Sequence, residues 1–532
     1  MTKLFLLLVV LVIFTCIGLN NISSRIGVPT LLAFIVLGIV VGNVGFIPIQ
    51  LNDRLFAKDV CSIALIFIMF YGGFGTRMEA VRPVMKESVL LSSAGVIITA
   101  GVTGVLCHFV FRWDWIPCFL LGSVVSSTDA ASVFSILRAK KLGLKNNTAP
   151  MLEVESGSND PCAYMLTAVF VTLVDGHTSA GSVAWMLTAQ IIFGLGFGWA
   201  IAQLAILALR QMRFATEGFD TLFIFAVALA SFTLPELVGG NGYLSAYIVG
   251  MLLGNEDFSG KKGLVGFFDG LTGLMQVLIF FLLGLLARPS QLHRAILPAL
   301  AIFLFLLLIA RPAAVLSVLL PFRKYPLRQQ ALVSFVGLRG AASIVFAIMA
   351  ITETLTLNLE FDLFNIVFCL VLLSISIQGS LIPWVARKLD MLDKNADVMK
   401  TFNDYSEGGN IHFGQIEIGE GDPWEGKEIR ELGMPGNLLI VLVERGNENI
   451  RPTGTTRLQA GDRVITLSHT VEGTPVSLFE KKIKPGSRRI GHAIKEFPGT
   501  GLVVMVRRGK ENIIPQGETI LQEGDTLVIL NL

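Results

Sequence analysis

The stretch ESGSNDP, at residues 155–161, places two carboxylates inside a segment that otherwise has the composition of a membrane span. An ionised side chain at the depth of a bilayer costs roughly 2.5–3.5 kcal/mol, so such a group normally lines an ion path or has a partner. Apolar stretches of similar length continue on both sides of it, and the chain is therefore predicted to be built into a membrane. Asp160 is the first candidate for a functional side chain.

Composition places the chain among membrane proteins. Of its 532 residues, 53% are hydrophobic and 15% are charged, whereas soluble proteins average about 25% charged residues. The net charge of +2 gives no reason to expect a nucleic-acid partner. The six cysteines lie in apolar segments without CxxC spacing, as buried hydrophobic residues do. Outside the apolar segments there is no nucleophile–base pair and no cluster of metal ligands, so we expect neither an enzyme nor a bound cofactor.

Apolar stretches long enough to cross a bilayer number about thirteen. They lie near residues 4–20, 28–48, 60–76, 88–111, 115–137, 150–174, 182–209, 219–238, 241–255, 264–287, 295–320, 329–351 and 363–386. The first is followed by no small-residue cleavage site, so we expect a retained span and not a signal peptide. Residues 1–390 are therefore predicted to form an all-α polytopic membrane domain.

Basic residues are concentrated in alternate loops, which predicts the orientation. If the C-terminal tail is cytoplasmic, an odd number of spans places the N terminus outside. The loops then assigned to the inside contain Arg25; Arg77, Arg82 and Lys86; Arg138, Lys140, Lys141 and Lys145; Arg210 and Arg213; Lys261 and Lys262; and Arg323, Lys324 and Arg328. The outer loops contain only Arg54, Lys58, Arg112, Arg288 and Arg294. This distribution agrees with the positive-inside bias of plasma-membrane proteins, here a bacterial inner membrane.

The tail after Arg387 changes character. Residues 391–411 are polar and charged, as in a linker, and beyond them short β-branched runs alternate with turn residues. Residues 443–467 align without gaps to residues 506–530 and are identical at 14 of 25 positions, which indicates an internal duplication. We predict two small α+β lobes, at residues 412–470 and 471–532, with short helical pieces at 427–432 and 490–497.

A fainter repeat lies in the membrane part. Residues 129–132 read DAAS and residues 340–343 read GAAS, and each follows a polar break in an apolar run, SST at 126–128 and GLR at 337–339. The two stretches are seven spans apart and would run in opposite directions. Paired, crossed discontinuous helices in an inverted repeat are typical of secondary transporters, in which freed backbone groups face an ion near the middle of the bilayer.

The residues of ESGSNDP are spaced so that their oxygen atoms share faces of one helix. Ser156 lies four residues before Asp160, and Glu155 lies four residues before Asn159. Pro161 has no N–H, so a carbonyl one turn earlier loses its usual partner and a kink is expected. Carboxylate, hydroxyl and carbonyl oxygens suit hard cations such as sodium or potassium. The alternative is that the carboxylates lie nearer a helix end and are merely solvated.

Three further charges lie inside apolar segments. Asp129 is expected to cap the N terminus of a half-helix, either as an architectural cap or also as an ion ligand. Arg339 requires a counter-charge, for which Glu155 or Asp129 is available and Glu155 is favoured, as a structural ion pair. Arg311 is expected to extend its long side chain to the membrane interface.

The order of these motifs resembles the monovalent cation:proton antiporter superfamily, in the branch of bacterial NhaP-type antiporters and animal sodium/proton exchangers. The resemblance rests on Thr128-Asp129, on ESxxND at 155–160 and on GLRGA at 337–341, and covers roughly residues 5–390. It implies a homodimer with about thirteen helices per protomer, divided into a dimerisation half and a core half that contains two crossed broken helices.

The resemblance also implies roles for individual residues. The candidate cation-binding residues are Asp160, Asn159, Ser156, Thr128 and Asp129, of which Asp160, Ser156 and Thr128 are expected to contact the alkali ion. Glu155 and Arg339 are implied to form a stabilising ion pair. One departure is YGGF at residues 71–74, where some prokaryotic relatives have an acidic residue, so the choice between sodium and potassium stays open.

Both copies in the tail resemble the TrkA-C, or RCK-C, lobe of domains that regulate potassium conductance. This resemblance favours potassium as the cation. The usual partner of such a lobe has a Rossmann-like GxGxxG turn, and no such turn follows a strand here, so nicotinamide binding is not expected. A small nucleotide-like ligand on the tail is a further hypothesis.

The expected activity is secondary active exchange of a monovalent cation for protons. A bare carboxylate is unstable away from water, so Asp160 would cross with either a proton or a cation and not empty. Because position 159 is Asn and not a second acid, one proton per cation and electroneutral exchange are predicted. Two alternatives are a potassium channel regulated by the tail, although the sequence lacks a filter such as TVGYG, and a sensor of the same fold that transports nothing.

Overall fold

The computed structural model describes residues 30–43, 54–140, 142–174, 179–211, 218–256, 258, 261–287, 289–354 and 361–393, four isolated positions before residue 20, and most of the tail from residue 411. In the tail it describes residues 411–419, 421–432, 438–446, 448–450, 452–469, 478–483, 490–496, 501–508, 511–513 and 518–531. Nearly all of the predicted first span and most of the predicted linker lie outside these ranges. The chain divides into two compact units, Met1–Ser406 and Glu407–Leu532.

Helices form the first unit, on the apolar stretches that the sequence predicted from residue 28 onward. They are α1 (Thr30–Asn43), α2 (Arg54–Gly75), α3 (Met85–Phe111), α4 (Trp115–Val124), α5 (Ala130–Ala139), α6 (Thr148–Val174), α7 (Ala180–Gln211), α8 (Phe219–Glu236), α9 (Gly242–Gly254), α10 (Lys261–Leu286), α11 (Pro289–Leu319), α12 (Leu327–Phe335), α13 (Ala341–Glu353) and α14 (Leu363–Lys388). Within the described residues, seven helices are long and apolar enough to cross a membrane, and four apolar helices are shorter.

Two spans are interrupted, at the two polar breaks that the sequence predicted. The first interruption separates α4 from α5 and the second separates α12 from α13. The two breaks contact each other, because the N–H of Asp129 donates a hydrogen bond of 2.8 Å to the carbonyl of Leu338. The two interruptions therefore lie side by side.

Small residues allow the closest helix contacts. A side chain at Gly250 on α9 would collide with the backbone of α2 at Phe70, and one at Gly284 on α10 would collide with the backbone of α1 at Ile35. Close backbone approach at small residues is the usual way in which helices associate in a bilayer, where apolar side chains gain little by leaving lipid. Residues of α2 and α10 also line the cavity described below.

A two-stranded ribbon joins distant parts of this unit. Strand β1 (Gly143–Leu144), which lies between α5 and α6, pairs antiparallel with β2 (Leu392–Asp393), which follows α14. The N–H of Lys145 extends the pairing to the carbonyl of Met391 at 3.0 Å, and its Nζ lies 3.0 Å from a carboxylate oxygen of Asp390. The ribbon thereby ties the start of α6 to the end of the membrane unit.

Each half of the tail folds as a four-stranded antiparallel sheet. The first contains β3 (Ile411–Glu417), β4 (Leu438–Arg445), β5 (Glu448–Ile450) and β6 (Asp462–His469), and the second contains β7 (Leu478–Lys482), β8 (Gly501–Arg508), β9 (Glu511–Ile513) and β10 (Thr526–Asn531). The strand orders are β3-β6-β4-β5 and β7-β10-β8-β9, so the second sheet repeats the first strand for strand. The predicted helical pieces are only short 3-10 turns, Ile429–Glu431 and Ile494–Glu496.

Candidate functional site

Asp160 lies in the middle of α6 and is buried, with 6% of its surface exposed. The hydroxyl of Ser127, in the break between α4 and α5, donates a hydrogen bond to its Oδ1 atom. The carboxylate therefore contacts the interrupted helix while it is shielded from bulk solvent. The alternative of a freely solvated carboxylate at a helix end does not fit this position.

Ser156 and Asn159 connect α6 to the same break. The Oγ of Ser156 donates to the carbonyl of Thr128 at 2.8 Å and accepts from the N–H of Ala130 at 2.7 Å. The side-chain amide of Asn159 donates to the hydroxyl of Thr128. Ser156 thus satisfies one of the free N–H groups at the start of α5, a task that a capping residue usually performs from within its own helix. The structure brings these predicted site residues together.

Asp129 caps α5, as the sequence predicted. Its Oδ1 accepts the N–H of Ser132 at 3.1 Å, and its Oδ2 accepts the hydroxyl of the same residue at 2.5 Å. A side chain at Gly340, at the start of α13, would run into this carboxylate. The architectural function of Asp129 is therefore present, and the same residue lines the cavity that contains Asp160.

The ion pair of Glu155 differs from the predicted one. Its Oε1 lies 2.5 Å from Nη2 of Arg311 on α11, and the two side chains are 1% and 3% exposed. The prediction that Glu155 pairs with Arg339 was therefore wrong, and so was the prediction that Arg311 extends to the interface. Arg311 fits here because residue 337 is a glycine. A Cβ atom at position 337 would lie only 2.7 Å from Nε of Arg311. Sequence reasoning missed this because Glu155 and Arg311 meet only through packing.

Arg339 instead binds the break that follows α4. Its Nη1 donates to the carbonyls of Ser126 at 2.9 Å and Ser127 at 2.7 Å, and its backbone N–H donates to the hydroxyl of Ser374 on α14 at 3.0 Å. A helix C terminus has unsatisfied carbonyls and a partial negative charge, which a guanidinium complements. The charge of Arg339 therefore stabilises the broken helix itself.

A cavity of about 490 Å³ leads to Asp160. Of the predicted residues, Thr128, Asp129, Ser156 and Asp160 line it, and Asn159 does not. Its remaining walls come from α2, α5, α10 and the start of α13. The predicted departure at residues 71–74 falls here, since Tyr71 and Gly72 form part of the wall.

Two acidic residues in the cavity wall were missed by the sequence reasoning. They are Glu153 on α6 and Asp269 on α10, whose Oδ1 lies 3.5 Å from the hydroxyl of Tyr71. Asp269 interrupts an apolar run in the same way as Asp160 does, so the rule that identified Asp160 also identifies Asp269.

Aromatic side chains pack together one turn beyond Asp160 on α6. Tyr164, one turn further along α6, packs against Tyr243 with ring centroids 5.0 Å apart and against Phe346 at 6.0 Å. The hydroxyl of Tyr164 donates to Glu236 at 3.4 Å, and Asn241 donates to the carbonyl of Pro161 at 3.0 Å. Along α6, the cavity-lining residues therefore lie at and before Asp160, and the packed rings begin one turn after it.

The predicted ion-binding residues share one kind of ligand atom. Every predicted ligand offers oxygen: the Asp160 carboxylate, the Ser156 hydroxyl and the Thr128 carbonyl or hydroxyl. Oxygen ligands suit alkali cations, and a buried carboxylate accepts a proton when no cation is present.

Both units of the chain match models of known protein families. The family model described as sodium/hydrogen exchanger, transmembrane, matches residues 9–388. The TrkA-C domain model matches the tail twice, at residues 413–467 and 478–530.

Similar individual proteins are also known. The K(+)/H(+) antiporter NhaP2 of Shewanella sp. (strain ANA-3) is 33% identical over 458 residues, which cover 84% of this chain and 78% of that protein. The K(+)/H(+) antiporter NhaP of Alkalimonas amylolytica is 36% identical over 371 residues, or 70% of this chain and 64% of that protein. Among solved structures, the sodium proton antiporter MjNhaP1 from Methanocaldococcus jannaschii matches with a TM-score of 0.62 at 22% identity, over 71% of this chain and 97% of that one, which supports the fold.

Proposed function

Because this chain belongs to the sodium/hydrogen exchanger family, we propose that it is a secondary active antiporter that exchanges a monovalent cation for protons. The observation that carries the proposal is the buried Asp160 at the end of a polar cavity, beside two interrupted helices. Such a carboxylate binds a proton and a cation in competition, and this competition couples the two fluxes. The chain is a transporter and not an enzyme.

Potassium is the proposed cation, with sodium as the alternative. Two similar relatives are named K(+)/H(+) antiporters, and the TrkA-C lobes favour the same ion. In this proposal Asp160, Ser156 and Thr128 contact the ion, Asn159 orients the hydroxyl of Thr128, and Asp129 both caps α5 and adds negative charge to the cavity. Regulation is assigned to the two tail lobes, at residues 412–470 and 471–532, with a small nucleotide-like molecule as a candidate ligand.

The arrangement in the membrane is proposed from the family and the loop charges. It comprises about thirteen spans with an inverted repeat, a homodimer in a bacterial inner membrane, an N terminus outside and a cytoplasmic tail behind a linker at residues 391–411. In that orientation the cavity opens to the inside, because Glu153, Asp269 and Tyr71 lie toward the helix ends that adjoin the basic loops. The rings of Tyr164, Tyr243 and Phe346 then close the outer side.

Flux measurements on Asp160→Asn test the function. Proteoliposomes that contain the parent protein are expected to show proton movement driven by a potassium or sodium gradient, and the Asp160→Asn variant is expected to show none. Asp59→Asn, at an exposed position of α2, is the matched control and should exchange ions at the parent rate. Comparison of potassium, sodium, rubidium and lithium gradients identifies the preferred cation.

The same assay separates the two alternatives. A channel would conduct potassium without moving protons, and a sensor would show no flux in the parent protein. Normal exchange in Asp160→Asn would refute the proposed chemistry.

A further inference from the structure

Ser127, in the break between α4 and α5, contacts two charged side chains that come from other elements. Its hydroxyl donates a hydrogen bond to Oδ1 of Asp160 on α6, and its carbonyl accepts one of 2.7 Å from Nη1 of Arg339 in the second break. All three residues are buried. One serine therefore joins the guanidinium that stabilises the first break to the carboxylate that is proposed to bind the ion.

The hydroxyl of Ser127 bonds differently from those of the two serines before it. Ser123 donates to the carbonyl of Phe119 at 2.8 Å, and Ser126 donates to the carbonyl of Ser123 at 2.7 Å. A bond to a carbonyl three or four residues earlier is the usual local choice of a serine in or near a helix. Because α4 ends at Val124, Ser127 lies beyond the helix, and its hydroxyl bonds to α6 instead.

The hydroxyl of Ser127 reaches the carboxylate from outside the cavity. Thr128 and Asp160 are among the residues that line the cavity, and Ser127 is not. The hydroxyl therefore bonds to Oδ1 of Asp160 without being one of the groups along the path of the ion. Its effect on the ion must then be exerted through the carboxylate and not through direct contact.

We propose that Ser127 is a positioning residue that holds the carboxylate of Asp160 and favours the cation over the proton in their competition for it. The proposal deepens the exchange function proposed above and rests on it. A hydrogen bond to the charged form of an acid favours that form, and the charged form is the one that binds a cation. In a site of low dielectric constant such a bond is stronger than in water. Ser127 therefore raises the apparent affinity for the cation.

The kinetic test uses Ser127→Ala in proteoliposomes. Loss of a hydrogen bond to a charged group is expected to raise the KM for potassium by roughly fivefold or more. The maximal rate should stay within about twofold of the parent, because saturating potassium occupies Asp160 in either case. Ser127→Thr keeps a hydroxyl donor and should retain a KM near the parent value. Ser123→Ala removes a buried hydroxyl that bonds only to the carbonyl of Phe119 in its own helix, so it is the matched control and should keep the parent KM.

A binding measurement tests the same inference without transport. The melting temperature of the detergent-solubilised parent is expected to rise when potassium chloride replaces choline chloride at constant ionic strength. Ser127→Ala should require severalfold more potassium for the same rise. Absence of exchange in a parent that shows this rise would refute the proposed function and leave the assignment of Ser127 intact.

Three results would overturn the assignment of Ser127. They are a KM at or below the parent value in Ser127→Ala, an equal rise of KM in Ser123→Ala, and a KM in Ser127→Thr as high as that of Ser127→Ala. If the added methyl group prevents Ser127→Thr from folding, Ser127→Cys replaces it. A thiol is a weaker donor than a hydroxyl, so its KM should lie between those of the parent and Ser127→Ala, and a KM equal to that of Ser127→Ala would count against the inference.

Discussion

Buried charges in this protein serve two different purposes at the scale of single residues. Asp160 has a hydroxyl donor and an adjoining cavity, so a cation or proton can reach it. Glu155, five residues earlier on the same helix, is paired with Arg311 and does not line the cavity. The difference follows from the helix: residues five apart lie on different faces of α6, one toward the cavity and one toward α11.

The Glu155–Arg311 pair is expected to stabilise the fold only as long as both partners are present. Arg311→Met leaves a buried carboxylate without its partner, which typically costs roughly 3–5 kcal/mol. We expect a clear fall in the melting temperature of the detergent-solubilised protein. The double variant Glu155→Gln/Arg311→Met removes both charges and should recover most of the loss. Equal melting temperatures for the single and double variants would show that the two charges are not coupled.

Contact between the two interrupted helices is the decisive feature at the scale of elements. The N terminus of α5 is completed by Asp129 and by Ser156 from α6. The carbonyls of Ser126 and Ser127, which follow α4, accept hydrogen bonds from Arg339 in the second break. In return, the N–H of Asp129 in the first break donates to the carbonyl of Leu338 in the second, so each break supplies a group to the other. Ends of helices with free backbone groups are tolerated within a membrane when the surrounding protein satisfies them in this way.

Gly340→Ala is expected to disturb this contact. A methyl group at position 340 would collide with the carboxylate of Asp129 and would displace the cap of α5. Because Thr128 and Ser156 meet at the same helix start, we expect exchange to fall by at least tenfold, or about 1.4 kcal/mol in transition-state free energy, with a smaller effect on expression. Gly266→Ala on α10, where no heavy atom lies within 4 Å of the added carbon, is the matched control and should retain parent activity.

The sequence predicted those features of the fold that depend on short stretches of neighbouring residues. Polar breaks at 126–128 and 337–339 within apolar runs located the two interruptions, and the order of ESGSNDP located Asp160 and Ser156 on α6. Partners of charged residues were not predictable in this way. Arg311 reaches Glu155 because Gly337 leaves room for it, and a packing contact of this kind has no signature in sequence spacing.

The tail provides a contrast at the scale of the whole molecule, because two of its buried acid groups have a structural function. In the first lobe both carboxylate oxygens of Asp462 accept hydrogen bonds of 2.7 Å from Arg445, and in the second lobe Asp525 and Arg508 repeat the arrangement. The hydrogen bond from Arg445 lowers the pKa of Asp462, and that from Arg508 lowers the pKa of Asp525. The duplicated sequence therefore repeats one ion pair, between a buried Asp and a partly exposed Arg, in each lobe.

Stability of the lobes is expected to depend on pH only in acid. A carboxyl group with a lowered pKa in the folded state stabilises that state fully above its unfolded pKa of about 3.9 and loses this contribution as pH falls through the folded value. The hydrogen-exchange protection factors of residues 438–469 in the full-length protein, which correct for the intrinsic effect of pH on exchange, should be constant from neutral pH down to about pH 5 and should fall below pH 4. Asp462→Asn should have lower protection factors at neutral pH and should lose less protection in acid. A fall in the parent's protection factors between pH 6 and 8 would contradict this account.

Electroneutral exchange is the prediction that involves the whole transport cycle. Asp160 is the only acid of the Asn159-Asp160 pair. The side chain of Asn159 has no titratable group and donates a hydrogen bond to the hydroxyl of Thr128. One cation and one proton then compete for one carboxylate, and each half-cycle moves the same net charge. A potential of 100 mV adds about 2.3 kcal/mol per uncompensated charge, so an electrogenic cycle would respond strongly to it. We expect potassium-driven proton flux in proteoliposomes to be unchanged when a thiocyanate gradient imposes a potential, with Asp160→Asn as the leak control. A severalfold change in rate on reversal of the potential would show that more than one proton is exchanged per cation.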